Sequence, residues 1–107
     1  MVELLRYQRE DGREPFTEWL NGLRDKVAQA RIRVRLRQVE AGNFGDVEPV
    51  GGGVLELRVH VGPGYRVYCG RHGRRIVLLL SGGDKGSQSA DVDRARAMWA
   101  EWKRRQS

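Results

Sequence analysis

The sequence predicts an α+β fold in the order β-α-α-β-β-β-α. Two changes of hydrophobic period carry this expectation. Residues 15–41 repeat their apolar positions at helical spacing, residues 54–80 change to a period of two that ends in a continuous apolar run, and residues 87–102 return to the helical period. Helices followed by an antiparallel meander give an α+β arrangement rather than a parallel one. The expected sheet is small and mainly antiparallel, with a helical hairpin on one face and a C-terminal helix. At 107 residues the chain suits a single domain over 1–107.

Residues 2–8, Val-Glu-Leu-Leu-Arg-Tyr-Gln, read as the first strand, ended by the polar stretch Arg9 to Glu14. Pro15 suits the first turn of a helix, because its missing N–H needs no partner there. Phe16, Trp19, Leu20 and Leu23 then form one apolar face over 15–23. Asp25 is placed to cap a second helix over about 26–41. This helix has two apolar stripes: Ala28, Ile32, Leu36 and Val39 on one side, and Val27, Ala30, Val34 and Ala41 on another. A helix apolar on two sides is expected to contact two things. Gly42 stops it, and a loop runs through Pro49 to the triple glycine 51–53.

In the alternating region, Leu55, Leu57, Val59 and Val61 face one way, and Glu56, Arg58 and His60 the other. Gly62-Pro63-Gly64 marks a hairpin turn, after which Tyr65, Val67 and Cys69 alternate with Arg66 and Tyr68. Arg71-His72-Gly73-Arg74 marks the next turn. Ile76 to Leu80 is a continuous apolar run, expected to be a central strand ended by Gly82-Gly83. Ser87 or Ser89 is expected to cap the final helix, whose seam is Val92, Ala95, Trp99 and Trp102.

The chain carries 20 Lys plus Arg against 14 Asp plus Glu, a net charge of +6, with Lys only at Lys26, Lys85 and Lys103. Arginine presents a planar fork that matches phosphate oxygens. A GC-rich genome produces the same enrichment, so composition leaves both readings open. The single cysteine, Cys69, excludes an intrachain disulfide, and no Cys/His cluster points to a metal. The N-terminus lacks the apolar stretch of a signal peptide, and no apolar run is long enough to span a membrane. A cytoplasmic protein with no cofactor is expected.

Hairpin pairing across Gly62-Pro63-Gly64 brings Arg58 and His60 near Arg66 and Tyr68, with Lys85 leaving the next strand close by. Cleaving RNA requires removing a proton from the 2′-hydroxyl, stabilising a charged phosphorane and protonating the leaving 5′-oxygen. Arg58, Arg66 and Lys85 can supply charge, His60 or Tyr68 can move protons, with Glu56 the acid nearest His60, and Tyr65 can stack on a base. Arg71 is a further candidate RNA contact. An arginine-bearing strand face is also what an ordinary solvated surface looks like.

The chain resembles the RelE/ParE/HigB superfamily of type II toxins, in its addiction module killer protein branch, over about residues 16–102. The motifs are Trp19-Leu20 with Leu23-Arg24-Asp25, Gly42-Asn43-Phe44-Gly45-Asp46, Gly53-Val54 with Glu56-Leu57-Arg58, Gly62-Pro63-Gly64-Tyr65-Arg66-Val67-Tyr68, and Gly82-Gly83-Asp84-Lys85 with Ser87-Gln88, Asp91 and Ala95. The resemblance implies the same element order, a cognate helix-turn-helix antitoxin, and ribosome-dependent cleavage of mRNA without metal. It assigns the working cations to Arg58, Arg66 and Lys85. The chain departs from cleaving relatives in lacking a Tyr or His near the start of the last helix, where Gln88-Ser89-Ala90-Asp91 stands. A gyrase-inhibiting toxin of the ParE kind and a non-toxic binding module of the same fold are the competing expectations.

Overall fold

The computed structural model describes residues 1–106. The elements are β1 (Glu3–Arg6), α1 (Pro15–Gly22), α2 (Lys26–Glu40), β2 (Val47–Pro49), β3 (Val54–Val59), β4 (Tyr65–His72), β5 (Ile76–Asp84) and α3 (Gln88–Gln106), with a 3₁₀ turn at Lys85–Ser87. The five strands form one sheet in the order β1-β5-β4-β3-β2. β1 runs parallel to β5, and the other neighbours are antiparallel. The α+β class and its element order hold, with one strand more than the sequence predicts.

That strand, β2, lies inside the expected loop. It pairs Val47 with Leu57 and Pro49 with Leu55 at the sheet's edge. An edge position tolerates proline, which cannot donate to a ladder. The glycines that follow form a tight turn, with Val54 N donating to Gly51 O at 3.1 Å and φ positive at all three.

Helix α2 is capped as expected: Asp25 Oδ1 accepts from the N–H groups of Val27 and Ala28 at 3.0 and 3.1 Å. Its first stripe, Ala28, Ile32, Leu36 and Val39, is buried, with Phe16 and Leu20 of α1, against Leu57, Val59, Val67, Cys69 and Leu79 of the sheet. Gln29, also buried, donates its amide to Leu20 O and Leu23 O at 2.8 and 3.1 Å. It thereby satisfies carbonyls that the end of α1 leaves open. The second stripe is uncovered: Val27 is 62% exposed and Val34 47%.

The opposite face of the sheet is also packed. Tyr68, Leu78, Leu80 and Val54 lie under Ala95 and Trp99 of α3. This corrects the expectation that Tyr68 shares a polar sheet face with Arg58, His60 and Arg66. Near β4 both faces are core, because the apolar seam of α3 folds onto the second one.

Strand β5 does not end at Gly82-Gly83. A Cβ at Gly82 would lie 2.2 Å from the Trp19 ring, and one at Gly83 1.8 Å from the Asp91 carboxylate. These glycines stay in the strand because neighbours approach too closely for a side chain. The 3₁₀ turn that leads into α3 is capped by Asp84, which accepts from Gly86 N and Ser87 N at 2.8 and 3.2 Å.

A candidate phosphate-binding cleft at the β3–β4 turn

Antiparallel pairing sets Arg58 opposite Arg66 and Glu56 opposite Tyr68. The backbone N–H of Lys85 donates to Gly64 O at 3.1 Å, which holds Lys85 beside the hairpin turn. The result is a cleft of about 440 Å³ lined by Arg58, His60, Tyr65, Arg66 and Lys85 around residues 61–64. The structure thus gathers five of the seven candidate residues.

The other two lie elsewhere. Tyr68 is fully buried beneath α3, and its hydroxyl donates to Glu56 Oε2 at 3.2 Å. Burial, followed by the neighbouring Glu56, pushes its hydroxyl well above the ordinary phenol range. A phenol held in this way does not exchange protons with a substrate in the cleft. Arg71 sits at the far end of β4, opposite Val77, with its guanidinium over the Phe44 ring at 4.7 Å. Tyr65 lines the cleft, but its ring makes an edge contact with Trp19 at 6.2 Å between centroids.

The cations differ in how much of their charge is free. Arg58 faces Glu48, Asp46 at 3.5 Å and Glu56 at 3.4 Å. Its burial disfavours the charge, but these carboxylates outweigh burial and raise its pKa. Arg66 meets only Glu56, at 3.5 Å, and its Nη1 is buried without a hydrogen-bond partner. Lys85 is exposed and makes no ion pair among the described residues. Arg66 and Lys85 are therefore the cations available to an anion, while Arg58 is largely neutralised from within.

Behind the cleft, the fully buried Glu56 collects four donors. Oε2 accepts from Tyr68 and, at 2.9 Å, from Gln88 Nε2, while Oε1 lies against the Nε atoms of Arg58 and Arg66. Glu56 is not the partner of His60. That imidazole lies past the end of β3 and places Nε2 2.6 Å from Asp46 Oδ2. The hydrogen bond from His60 is the main cause holding the Asp46 carboxyl below its ordinary range, opposed by burial and aided by Arg58. A lowered carboxylate pKa keeps the contact intact at neutral pH and loses it only as pH falls through the lowered value. An NMR titration should therefore find Asp46 protonating at lower pH than in a His60→Ala variant; coincident titration curves would refute the pairing.

Asp46, Glu48, Gln88 and Arg35 are the residues that sequence reasoning did not place at the site. Glu56, read from the sequence as the acid nearest His60, meets Tyr68, Gln88, Arg58 and Arg66 instead. Cys69, sealed in the core, has its thiol pushed up to about 12 by burial and is no nucleophile. Among the described residues, no group of three or more His, Cys, Asp or Glu is arranged to hold a metal, and no helix is long and apolar enough to cross a membrane.

The chain is 41% identical over 83 residues to an uncharacterised protein of Haemophilus influenzae, covering 78% of this chain and 84% of that protein. Residues 18–105 match the family described as "Phage derived protein Gp49-like (DUF891)". That stretch contains every element from within α1 into α3, and with them the whole cleft, so the chain belongs to the phage-derived Gp49-like family.

Proposed function

We propose that this protein is the RNA-cleaving toxin of a toxin–antitoxin pair, acting on mRNA at the ribosome, with a helix-turn-helix antitoxin as its partner. Two things support the reading. Members of the Gp49-like family are often found in toxin–antitoxin modules. The carrying observation is the cleft itself, which is lined both by Arg66, whose one ion-pair partner is Glu56, and by Lys85, which makes no ion pair among the described residues. A guanidinium and an ammonium that line one cleft suit a phosphate, whose oxygens fit the guanidinium fork.

In this reading Arg66 and Lys85 bind the scissile phosphate, and Arg58 braces Arg66 from the paired strand. His60, with Nε2 donating to Asp46, presents Nδ1 to take the 2′-hydroxyl proton. The 2′-oxygen attacks phosphorus, the bond to the 5′-oxygen breaks, and Lys85 donates to the departing oxygen. The products are a 2′,3′-cyclic phosphate and a free 5′-hydroxyl.

Growth arrest on induction should coincide with new mRNA 5′ ends. Arg66→Ala should lower cleavage on the order of 100-fold, the usual effect of removing one positioned donor from a developing oxyanion. Arrest without new ends, or undiminished cleavage in the variant, would overturn the reading. Because Arg58 is internally neutralised, RNA binding should depend on two cations rather than three. The log–log salt slope is then about −1.4, from about −0.7 per phosphate contact on a single strand. A slope near zero would remove both Arg66 and Lys85 as phosphate ligands.

The exposed Val27 on the second stripe of α2 supports a second reading, a toxin that binds a protein target such as gyrase. Inhibition of DNA supercoiling by purified components, with no RNA cleavage, would select it.

A further inference from the structure

A second cleft, of about 320 Å³, opens between α2 and the end of β3. It shares Arg58, Val59, His60 and Val61 with the first cleft, so the two are continuous. Its remaining walls are Arg31, Val34, Arg35 and Gln38 of α2, with Gly45 and Asp46 of the loop. Building on the reading above, we propose that this second cleft receives the unstacked base of a nucleotide adjoining the scissile phosphate, so that the substrate is single-stranded RNA bound across both clefts.

Four observations carry the proposal. The cleft has apolar surface where a flat ring can lie: Val34, Val59 and Val61. Nucleotide sites pair such surface with a few polar groups at the ring's edge. Gln38 supplies one, since its side-chain amide makes no hydrogen bond among the described residues and offers both a donor and an acceptor. Charge suits a polyanion: Arg31 is exposed without an ion pair, and the one carboxylate in the wall, Asp46, is engaged by His60 and Arg58. Finally, the wall is fixed in place. Arg35 donates Nε to Arg58 O at 3.1 Å and Nη2 to Asp46 O at 2.9 Å, which ties α2 to β3 and to the loop. Its Nη1 is, like that of Arg66, buried without a partner, so each cleft is backed by one arginine with an unfilled donor.

A helical protein segment is the less favoured occupant. Docking a helix requires a groove presenting successive anchor positions along the partner. Here Val34 is the only apolar α2 residue in the wall, and Val27 and Ala30 lie outside it. The dimensions and continuity suit one base next to one phosphate.

The test uses the full chain and an uncleavable 2′-O-methyl tetranucleotide, followed by fluorescence anisotropy. Val34→Glu places a negative charge in the second cleft without touching the first, and the position is exposed, so folding is preserved. It should weaken binding about tenfold or more, the scale of losing one stacked base. An abasic site moved along the oligonucleotide should have one position where wild type loses the same factor and Val34→Glu loses nothing further. Val34→Trp adds a stacking surface and should tighten binding, a gain that misfolding cannot mimic. If Arg66→Ala weakens binding while Val34→Glu, Val34→Trp and every abasic oligonucleotide leave it unchanged, the base subsite is wrong and the toxin reading stands. If Val34→Glu abolishes capture of an acidic partner protein and leaves RNA affinity intact, the cleft is a protein interface and the proposal fails. If neither wild type nor Arg66→Ala binds RNA, the functional reading fails with it.

Discussion

Glu56→Ala is expected to lower the stability of this protein by about 3 kcal/mol. The carboxyl group is fully buried and receives four donors, from Tyr68, Gln88, Arg58 and Arg66. Removing it strands the Tyr68 hydroxyl in a site with no water access, which costs about 1–3 kcal/mol, and removes the internal partner of two arginines. Deleting one member of a fully buried pair costs about 3–5 kcal/mol. The lower end applies here because Arg58 remains 32% exposed and can turn to water. For a chain of this length that corresponds to a fall in Tm of about 15 °C. Glu56→Gln, which keeps the volume and one acceptor, should fall less. Tyr68→Phe should cost only about 1 kcal/mol, since it removes a donor and leaves no buried oxygen unpaired. In the double variant the two losses should be less than additive. A thermal melt of Glu56→Ala within about 2 °C of wild type would show that these hydrogen bonds carry no stability.

Gly70→Ala is expected to be nearly as damaging, although it adds one methyl group. A Cβ there would lie 2.3–2.5 Å from three carbons of the Trp99 indole. Trp99 cannot swing away, because it is 4% exposed and stacks on Trp102 at 5.4 Å. Helix α3 must therefore retreat from the sheet, at a cost of about 1–3 kcal/mol for an overpacked core. The backbone of Gly70 does not demand glycine, as its φ is not positive. The cost is therefore one of space, and a smaller partner should relieve it. Trp99→Leu in the Gly70→Ala background should recover part of the loss, whereas alone it should destabilise by opening a cavity. Equal melting of Gly70→Ala and wild type would contradict this close approach.

Where the chain repeats a period, its sequence predicts its elements well. Pro15 starts α1, Asp25 caps α2, and the alternation from Leu55 to Cys69 becomes the β3–β4 hairpin with Arg58 opposite Arg66. What escapes is set by tertiary approach. β2 is three residues long and contains a proline, so it has no period to read. Gly82-Gly83 look like a strand end because glycine usually marks one; the rings and carboxylate that require them belong to Trp19 and Asp91. The burial of Tyr68 depends on where α3 lands, which alternation along β4 does not encode. Two of the carboxylates that neutralise Arg58 come from a loop and an edge strand, 12 and 10 residues away, joined only by the fold.

The parallel pairing of β1 with β5 bears on how the protein is made. Leu4 has no strand partner until Val77 exists, and Tyr7 and Gln8 reach Glu101 and Arg105 near the far end of α3. Chains emerge from the ribosome N-terminus first, so β1 waits for its neighbour until β5, at Ile76–Asp84, has been made. Arg58 and Arg66 are translated long before Gln88 arrives to complete the cradle around Glu56. A half-made chain thus carries the cleft's arginines without the architecture that aims them. Under the toxin reading, the activity of each molecule has to wait until the residues from β5 into α3 have been made.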